Sequence, residues 1–117
     1  GVPGISDNIR VRSILGRFLE HSRVYYFYAN GAEIVHCASA DWMDRNVFRR
    51  VEICFPIDGD KIKKRVIADL DLQLQDNLDT WELLADGTWA RITRGKSTPA
   101  ISAQSVLLTQ LTDFKSD

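Results

Sequence analysis

The sequence predicts an α/β fold, and three observations lead there. Val24 to Tyr28 is an unbroken run of β-branched and aromatic residues, the composition of a strand. From Asp58 onward Ile62, Val66, Ile67, Leu70 and Leu74 recur at helical spacing along one face. Asn30-Gly31 and Asp86-Gly87 are hairpin signals set between apolar runs. Helical and extended patterns therefore intermingle, which points to a mixed sheet flanked by helices, with residues 1–117 forming a single domain.

The elements follow in order. Ser6 or Asp7 is placed to cap a helix whose apolar stripe is Val11, Ile14, Leu15, Phe18 and Leu19. The strand at Val24 to Tyr28 turns at Asn30-Gly31 into a second, Glu33 to Ala38. Asp41 is expected to N-cap a short helix through Arg49, and a third strand runs from Val51 to Phe55, ended by Pro56. The long amphipathic helix comes next. Trp81 to Leu84 and Trp89 to Ile92 then form a hairpin, with Trp81 and Trp89 facing each other across it. Ser97-Thr98-Pro99 breaks the chain, and Ser102 caps a last helix carrying Val106, Leu107 and Leu111.

Composition narrows the function classes. Hydrophobic content of 44% and charged content of 26% belong to an ordinary globular domain. A net charge of −1 argues against a generic nucleic-acid binder, which would be clearly basic. No apolar run approaches the roughly 18 residues needed to cross a bilayer, so a cytoplasmic location is the expectation. Cys37 and Cys54 lack metal-ligand spacing and sit in apolar runs, as buried reduced thiols do. The chain begins Gly-Val-Pro-Gly without an initiator methionine, as a piece of a longer protein would.

Charge is unevenly placed. Seven of the ten arginines lie between Arg10 and Arg50. Arginine's planar fork suits it to holding phosphate in a fixed geometry. Within that half, His21 and Arg23 stand two apart at the mouth of the first strand, on one face if the strand already runs there. Imidazole can act as nucleophile or proton donor to a leaving oxygen, while the guanidinium offsets charge on phosphate oxygens. Alone, the pair reads more readily as a surface histidine at a helix end, where a positive ring complements the dipole. Ser39, Asp41 and Asn46 follow the second strand, Arg45 and Arg49 form an i,i+4 pair, and Arg50 and Glu52 come next. Three elements thus end in polar groups that would converge at one sheet edge. His36 reads as a satisfied or half-buried strand residue, and Lys61, Lys63 and Lys64 as the wet face of the long helix.

The blocks GVPGISDNIRVRSILGRFLEHSR, SADWMDRN and RRVE closely resemble the last domain of bacterial polyphosphate kinases, a family with the phospholipase D-like fold. The likeness is close from Gly1 to about Asn77 and looser beyond. His21-Ser22-Arg23 stands where that superfamily carries His-x-Lys, arginine replacing lysine. Ser39 to Asn46 and Glu52 stand for its later segments. The resemblance implies reversible transfer of the ATP γ-phosphate to polyphosphate through a phosphohistidine that lies in the preceding domain. His21 would match a second histidine at the nucleotide phosphates, acting as acid or phosphate contact, and Arg50 and Glu52 would lie beside the nucleotide. Mg²⁺ accompanying ATP would find its ligands mainly in the preceding domain.

On that basis the nucleotide- or phosphate-binding residues are His21, Arg23, Ser39, Asp41, Asn46, Arg49, Arg50 and Glu52, with His21 catalytic and no metal ligand assigned. The implied partners are ATP, ADP, polyphosphate and the remaining domains of the polypeptide, with homo-oligomers when full length. The isolated domain would be inactive. Two other readings stay open: a phospholipase D-type phosphodiesterase, disfavoured by a single His-x-Arg without lysine, and a non-catalytic nucleotide- or polyphosphate-binding module.

Overall fold

A computed structural model describes residues 1–112 of the chain. In order the elements are β1 (Arg12–Ile14), β2 (Val24–Ala29), β3 (Ala32–Ala38), α1 (Asp44–Arg49), β4 (Cys54–Pro56), α2 (Asp60–Gln75), β5 (Thr80–Leu83), β6 (Trp89–Arg91) and α3 (Ala103–Thr112). The α/β class and the helices flanking sheet match the sequence expectation. The strands, however, divide between two three-stranded sheets, ordered β1-β5-β6 and β2-β3-β4, with every pairing antiparallel. The described residues gather into two compact units, one made of residues 1–20 with those from 72 on, the other of residues 21–71.

In the unit formed by residues 21–71, β2 and β3 pair from Val24↔Cys37 to Ala29↔Ala32. The two-residue connection places Asn30 at φ 48° and Gly31 at φ 95°. Both central residues at positive φ match the twist of a tight hairpin, which is why Asn-Gly occurs there. Val35 is buried on β3. The apolar stripe of α2 within this unit, Val66, Ile67 and Leu70, is half-buried, while Ile62 is exposed. β4 is shorter than the expected 51–55 strand, because only Cys54–Pro56 pair with β3, at Ala38, Cys37 and His36. Pro56 fits at the end of this edge strand, where its missing N–H goes unused. Cys54 is exposed and Cys37 half-buried, so the expectation of two buried thiols fails at the edge strand. His36 is half-buried as expected, but its Nδ1 has no hydrogen-bond partner among the described residues.

The other unit departs most from the sequence reading. The expected helix before residue 20 is absent; Arg12–Ile14 instead pairs with Glu82, Trp81 and Thr80. Val11 O accepting Leu83 N–H and Asp79 O accepting Leu15 N–H extend the ladder. Ser6 and Asp7 do cap, but upstream: they accept Val2 N–H at 2.8 Å and Gly4 N–H at 2.9 Å within a turn. The β5–β6 hairpin forms around Asp86-Gly87, with Gly87 at φ 84° and Asp86 accepting the N–H and hydroxyl of Thr88. Its register sets Trp81 opposite Arg91 and Trp89 opposite Leu83, so the two indoles are diagonal and not directly paired. Ser102 precedes α3, but its hydroxyl donates to Asp79 at 3.0 Å. The N–H of Ala103 is taken instead by Asp76 Oδ2 at 2.8 Å, while Oδ1 accepts Leu78 N–H, Asp79 N–H and the Thr80 hydroxyl. Asp76 is only 2% exposed and is the polar pin of this unit. Gln104, also buried, clasps Phe18 through both its backbone N–H and C=O. Among the described residues no helix is long and apolar enough to cross a membrane.

Candidate functional site

The polar groups singled out in the sequence lie mostly in the 21–71 unit, around the junction of β2, β3 and the segment entering α1. Arg23 precedes β2 and continues its ladder, its C=O accepting Ala38 N–H at 2.9 Å. Its Nε donates to Asp41 Oδ1 at 2.7 Å and its Nη1 to the backbone C=O of His21 at 3.2 Å. The guanidinium is therefore held from two sides, and the chain at His21 is drawn toward it. Hydrogen bonding from Arg23 lowers the Asp41 carboxyl below its ordinary value, and the same bond raises Arg23. His21 and Arg45 add to the stabilisation of the Asp41 carboxylate, and Glu52 adds to that of the Arg23 cation. His21 and Ser39 are exposed, while Arg23, Asp41 and Glu52 are partly exposed.

Asp41 was expected to cap α1 and does not. Its carboxylate is spent on Arg23, and Met43 occupies the cap position without a side-chain bond. The backbone of Asp41 stabilises the turn instead, its C=O accepting Met43 N–H and Asn46 Nδ2. Asn46 is 4% exposed, and its Oδ1 has no partner among the described residues. It acts from beneath, fixing the loop, and does not project outward. Ser39 ties the other side: its hydroxyl donates to Glu52 and accepts Ile53 N–H, while its N–H donates to Ile53 O. Glu52 is thereby carried to the same junction.

His21, Arg23, Ser39, Asp41, Asn46 and Glu52 are thus brought together. Arg49 and Arg50 are exposed, and among the described residues no ion pair or hydrogen bond draws either into the cluster. Two residues that the sequence reading left out complete the geometry. Trp42 Nε1 donates to Tyr25 Oη at 2.7 Å, and the rings meet edge-on at 6.2 Å. Consecutive loop residues Asp41 and Trp42 are therefore fastened to alternate residues of one strand, Arg23 and Tyr25. Strand alternation gave a signal for Tyr25, since it shares a face with Arg23.

Among the described residues no group of three His, Cys, Asp or Glu side chains lies close enough to hold a metal ion. Asp41 is committed to Arg23, and Glu52 to the Ser39 hydroxyl. The described residues thus form no closed cage of protein ligands for a cation. What the arrangement offers is a fixed cation beside an exposed imidazole, with hydroxyl and carboxylate groups at the margin. That is chemistry for contacting phosphate oxygens. Two shallow clefts, of about 390 Å³ and 560 Å³, belong to the other unit and include none of these residues.

Comparison with known proteins gives the same direction. Residues 1–104 match the family model described as polyphosphate kinase C-terminal domain 2. A polyphosphate kinase of Burkholderia lata is 60% identical over 98 residues, covering 83% of this chain and 14% of that protein. One from Xylella fastidiosa is 54% identical over 112 residues, covering 95% of this chain and 16% of that protein. The crystal structure of polyphosphate kinase from Porphyromonas gingivalis matches with a TM-score of 0.84 at 31% identity, over 95% of this chain and 17% of that one. The chain therefore spans a small fraction of the length of the curated relatives it matches. With the family model matched over residues 1–104 and relatives up to 60% identical, the chain belongs to the polyphosphate kinase C-terminal domain 2 family.

Proposed function

We propose that this chain is one domain of a longer polyphosphate kinase and contributes half of its nucleotide and phosphate site. The whole enzyme moves the γ-phosphate between ATP and polyphosphate in either direction, through a phosphohistidine located outside this chain. The observation that carries the reading is the Arg23 guanidinium, held by Asp41 and by the His21 carbonyl. Its Nη2 amino group has no partner among the described residues and is left to meet a phosphate oxygen. A cation fixed in advance loses little freedom on binding and stabilises charge that develops during transfer.

In this reading Arg23 and His21 contact the phosphates, and Ser39, Glu52 and the Asp41 loop shape the margin. The His21 imidazole donates a hydrogen bond to a phosphate oxygen, or gives a proton to the leaving oxygen as its bond to phosphorus breaks. Asn46 holds the loop from below. Arg49 and Arg50 reach the polyanion from the end of α1. Magnesium accompanying the nucleotide takes its ligands from outside this chain, so the chain alone is inactive. The full-length protein acts in the cytoplasm as a homo-oligomer.

An amide NMR titration tests this directly, using the chain joined to its upstream domain, a non-hydrolysable ATP analogue and Mg²⁺. Shifts at His21, Arg23, Ser39 to Asn46 and Glu52, diminished in His21→Ala, support the assignment. Saturable binding with these amides unmoved refutes it.

A further inference from the structure

Tyr25 carries a donor that no neighbour in this fold uses. Its phenol oxygen accepts the Trp42 Nε1–H at 2.7 Å, and the residue is half-buried. A phenol has one O–H to give as well as lone pairs to offer. Among the described residues nothing accepts that proton, and His36, opposite on β3, makes no bond at Nδ1 either. Accepting from the indole fixes the phenol oxygen and turns its hydrogen away from Trp42. A hydrogen bond received at the oxygen also makes the hydroxyl a stronger donor.

The position of Tyr25 gives that donor a use. Arg23 continues the β2 ladder and Tyr25 follows it by two residues, so both side chains stand on one face of the sheet, roughly 7 Å apart along the strand. Register adds His36 and Pro56 to that face, whereas the buried Val35 belongs to the other. Further along the same face Phe27 is 57% exposed, so the face is open beyond the Trp42 loop. The Tyr25 oxygen lies near enough to Arg23 to add to the stabilisation of its cation. Arg23 itself has little left to give, with Nε on Asp41 and Nη1 on the His21 carbonyl. Its remaining amino group cannot pair with the several oxygens that linked phosphates present.

We propose that Tyr25 is a further substrate-contacting residue of the kinase, its hydroxyl donating to an oxygen of the phosphate next to the one that Arg23 holds. Tyr25 thereby extends the phosphate contacts of the reading above, on which its role rests, from the mouth of β2 along its open face. Trp42 is a positioning residue, because its indole holds the phenol from the same loop whose Asp41 holds Arg23. The ligand is a chain of at least two linked phosphates, supplied by the tail of ATP or by the end of polyphosphate.

A difluorotyrosine placed at position 25 of the full-length kinase containing this chain tests this. Fluorine beside the hydroxyl lets the phenol ionise at lower pH. The phenolate still accepts the Trp42 N–H, but it has no proton left to donate. Phosphotransfer should therefore fall on the alkaline side at lower pH than in the parent, by at least about tenfold once the phenol is ionised. The titratable groups that share its surroundings, Arg23 on the β2 ladder, His36 on β3, Cys54 on β4 and Asp41 on the loop, are the same in both proteins. Superimposable pH profiles overturn the proposal. Tyr25→Phe, folded by its melting curve, should lose at least about tenfold, and Trp42→Phe, which keeps the phenol, less than about threefold. Equal losses would make the pair a structural latch alone and overturn it too. A KM raised for ATP in synthesis assigns the contact to the nucleotide, and one raised for polyphosphate in the reverse direction assigns it to the chain; either supports the role. Failure of the underlying reading shows separately, as parental activity in His21→Ala.

Discussion

Asp76 gives the sharpest quantitative expectation, because its two oxygens do separable jobs. Oδ1 accepts Leu78 N–H, Asp79 N–H and the Thr80 hydroxyl, holding the turn from α2 into β5, while Oδ2 alone accepts the first N–H of α3. Ala103 and Thr80 are essentially fully buried, so water cannot replace the lost acceptor at either. A buried donor left unsatisfied costs about 1–3 kcal/mol. Asp76→Ala orphans both of these donors and the two turn amides, for a total of about 3–5 kcal/mol. Asp76→Asn can keep its carbonyl oxygen at the Oδ1 position and places an amide NH₂ against Ala103. It removes the α3 cap alone and should cost about 1–2 kcal/mol. Urea unfolding followed by far-ultraviolet circular dichroism measures both. The asparagine variant should lie well between wild type and alanine. Equal destabilisation by the two substitutions, or an alanine variant within about 0.5 kcal/mol of wild type, would refute the two-oxygen account.

Other outcomes follow from the same structure. The Asp41 carboxyl is lowered from 3.8 by its bond to Arg23, so the contact stabilises the fold above that value and is lost as pH falls through the still lower folded value. Thermal melts should thus show the gap between wild type and Asp41→Asn steady near neutrality and closing below about pH 4; a gap that widens in acid would contradict the sign. Tyr25→Phe removes the acceptor of Trp42 Nε1. It should cost only about 0.5–1.5 kcal/mol, because the indole is 86% exposed and its N–H can turn to water. Indole emission should shift in that variant and not in Tyr25→Phe combined with Trp42→Phe. A Cβ added at Gly16 would lie 2.3 Å from Gln104 Oε1. Gly16→Ala should therefore break the Gln104–Phe18 clasp and destabilise by about 1–3 kcal/mol in chemical denaturation; a neutral effect would mean that Gln104 moves freely.

What the sequence revealed depended on how local the cause was. The β2–β3 hairpin, α2 and the β5–β6 hairpin are written in neighbouring residues: an Asn-Gly pair, a helical period, an Asp-Gly pair. Residues 12–14 look helical locally but are strand, because their partners, Thr80, Trp81 and Glu82, lie far away in sequence. Nonlocal pairing overrides local period. The same limit applied at the site. His21, Arg23 and Asp41 were legible as residue types suited to phosphate. That Asp41 would turn from capping α1 to pairing with Arg23 was not, since both uses satisfy a carboxylate. Tyr25 was read only as part of a strand and Trp42 was given no role, and only the fold shows them meeting across 17 residues. Arg49 was grouped with the cluster by its place on the helix and Arg50 by the resemblance; both are exposed, and among the described residues neither makes an ion pair or hydrogen bond to the cluster.

The account turns on His21 serving phosphoryl transfer beside Arg23, and one measurement tests that most directly. Polyphosphate synthesis from ATP should be assayed in the full-length kinase carrying His21→Ala, with its fold verified by the same melting curve as the parent. General acid assistance is worth about 10²–10⁴-fold, so the rate should fall by at least about a hundredfold with the fold unchanged. A folded His21→Ala enzyme that synthesises polyphosphate within about twofold of the parent rate, short of that acid contribution, would contradict the central claim.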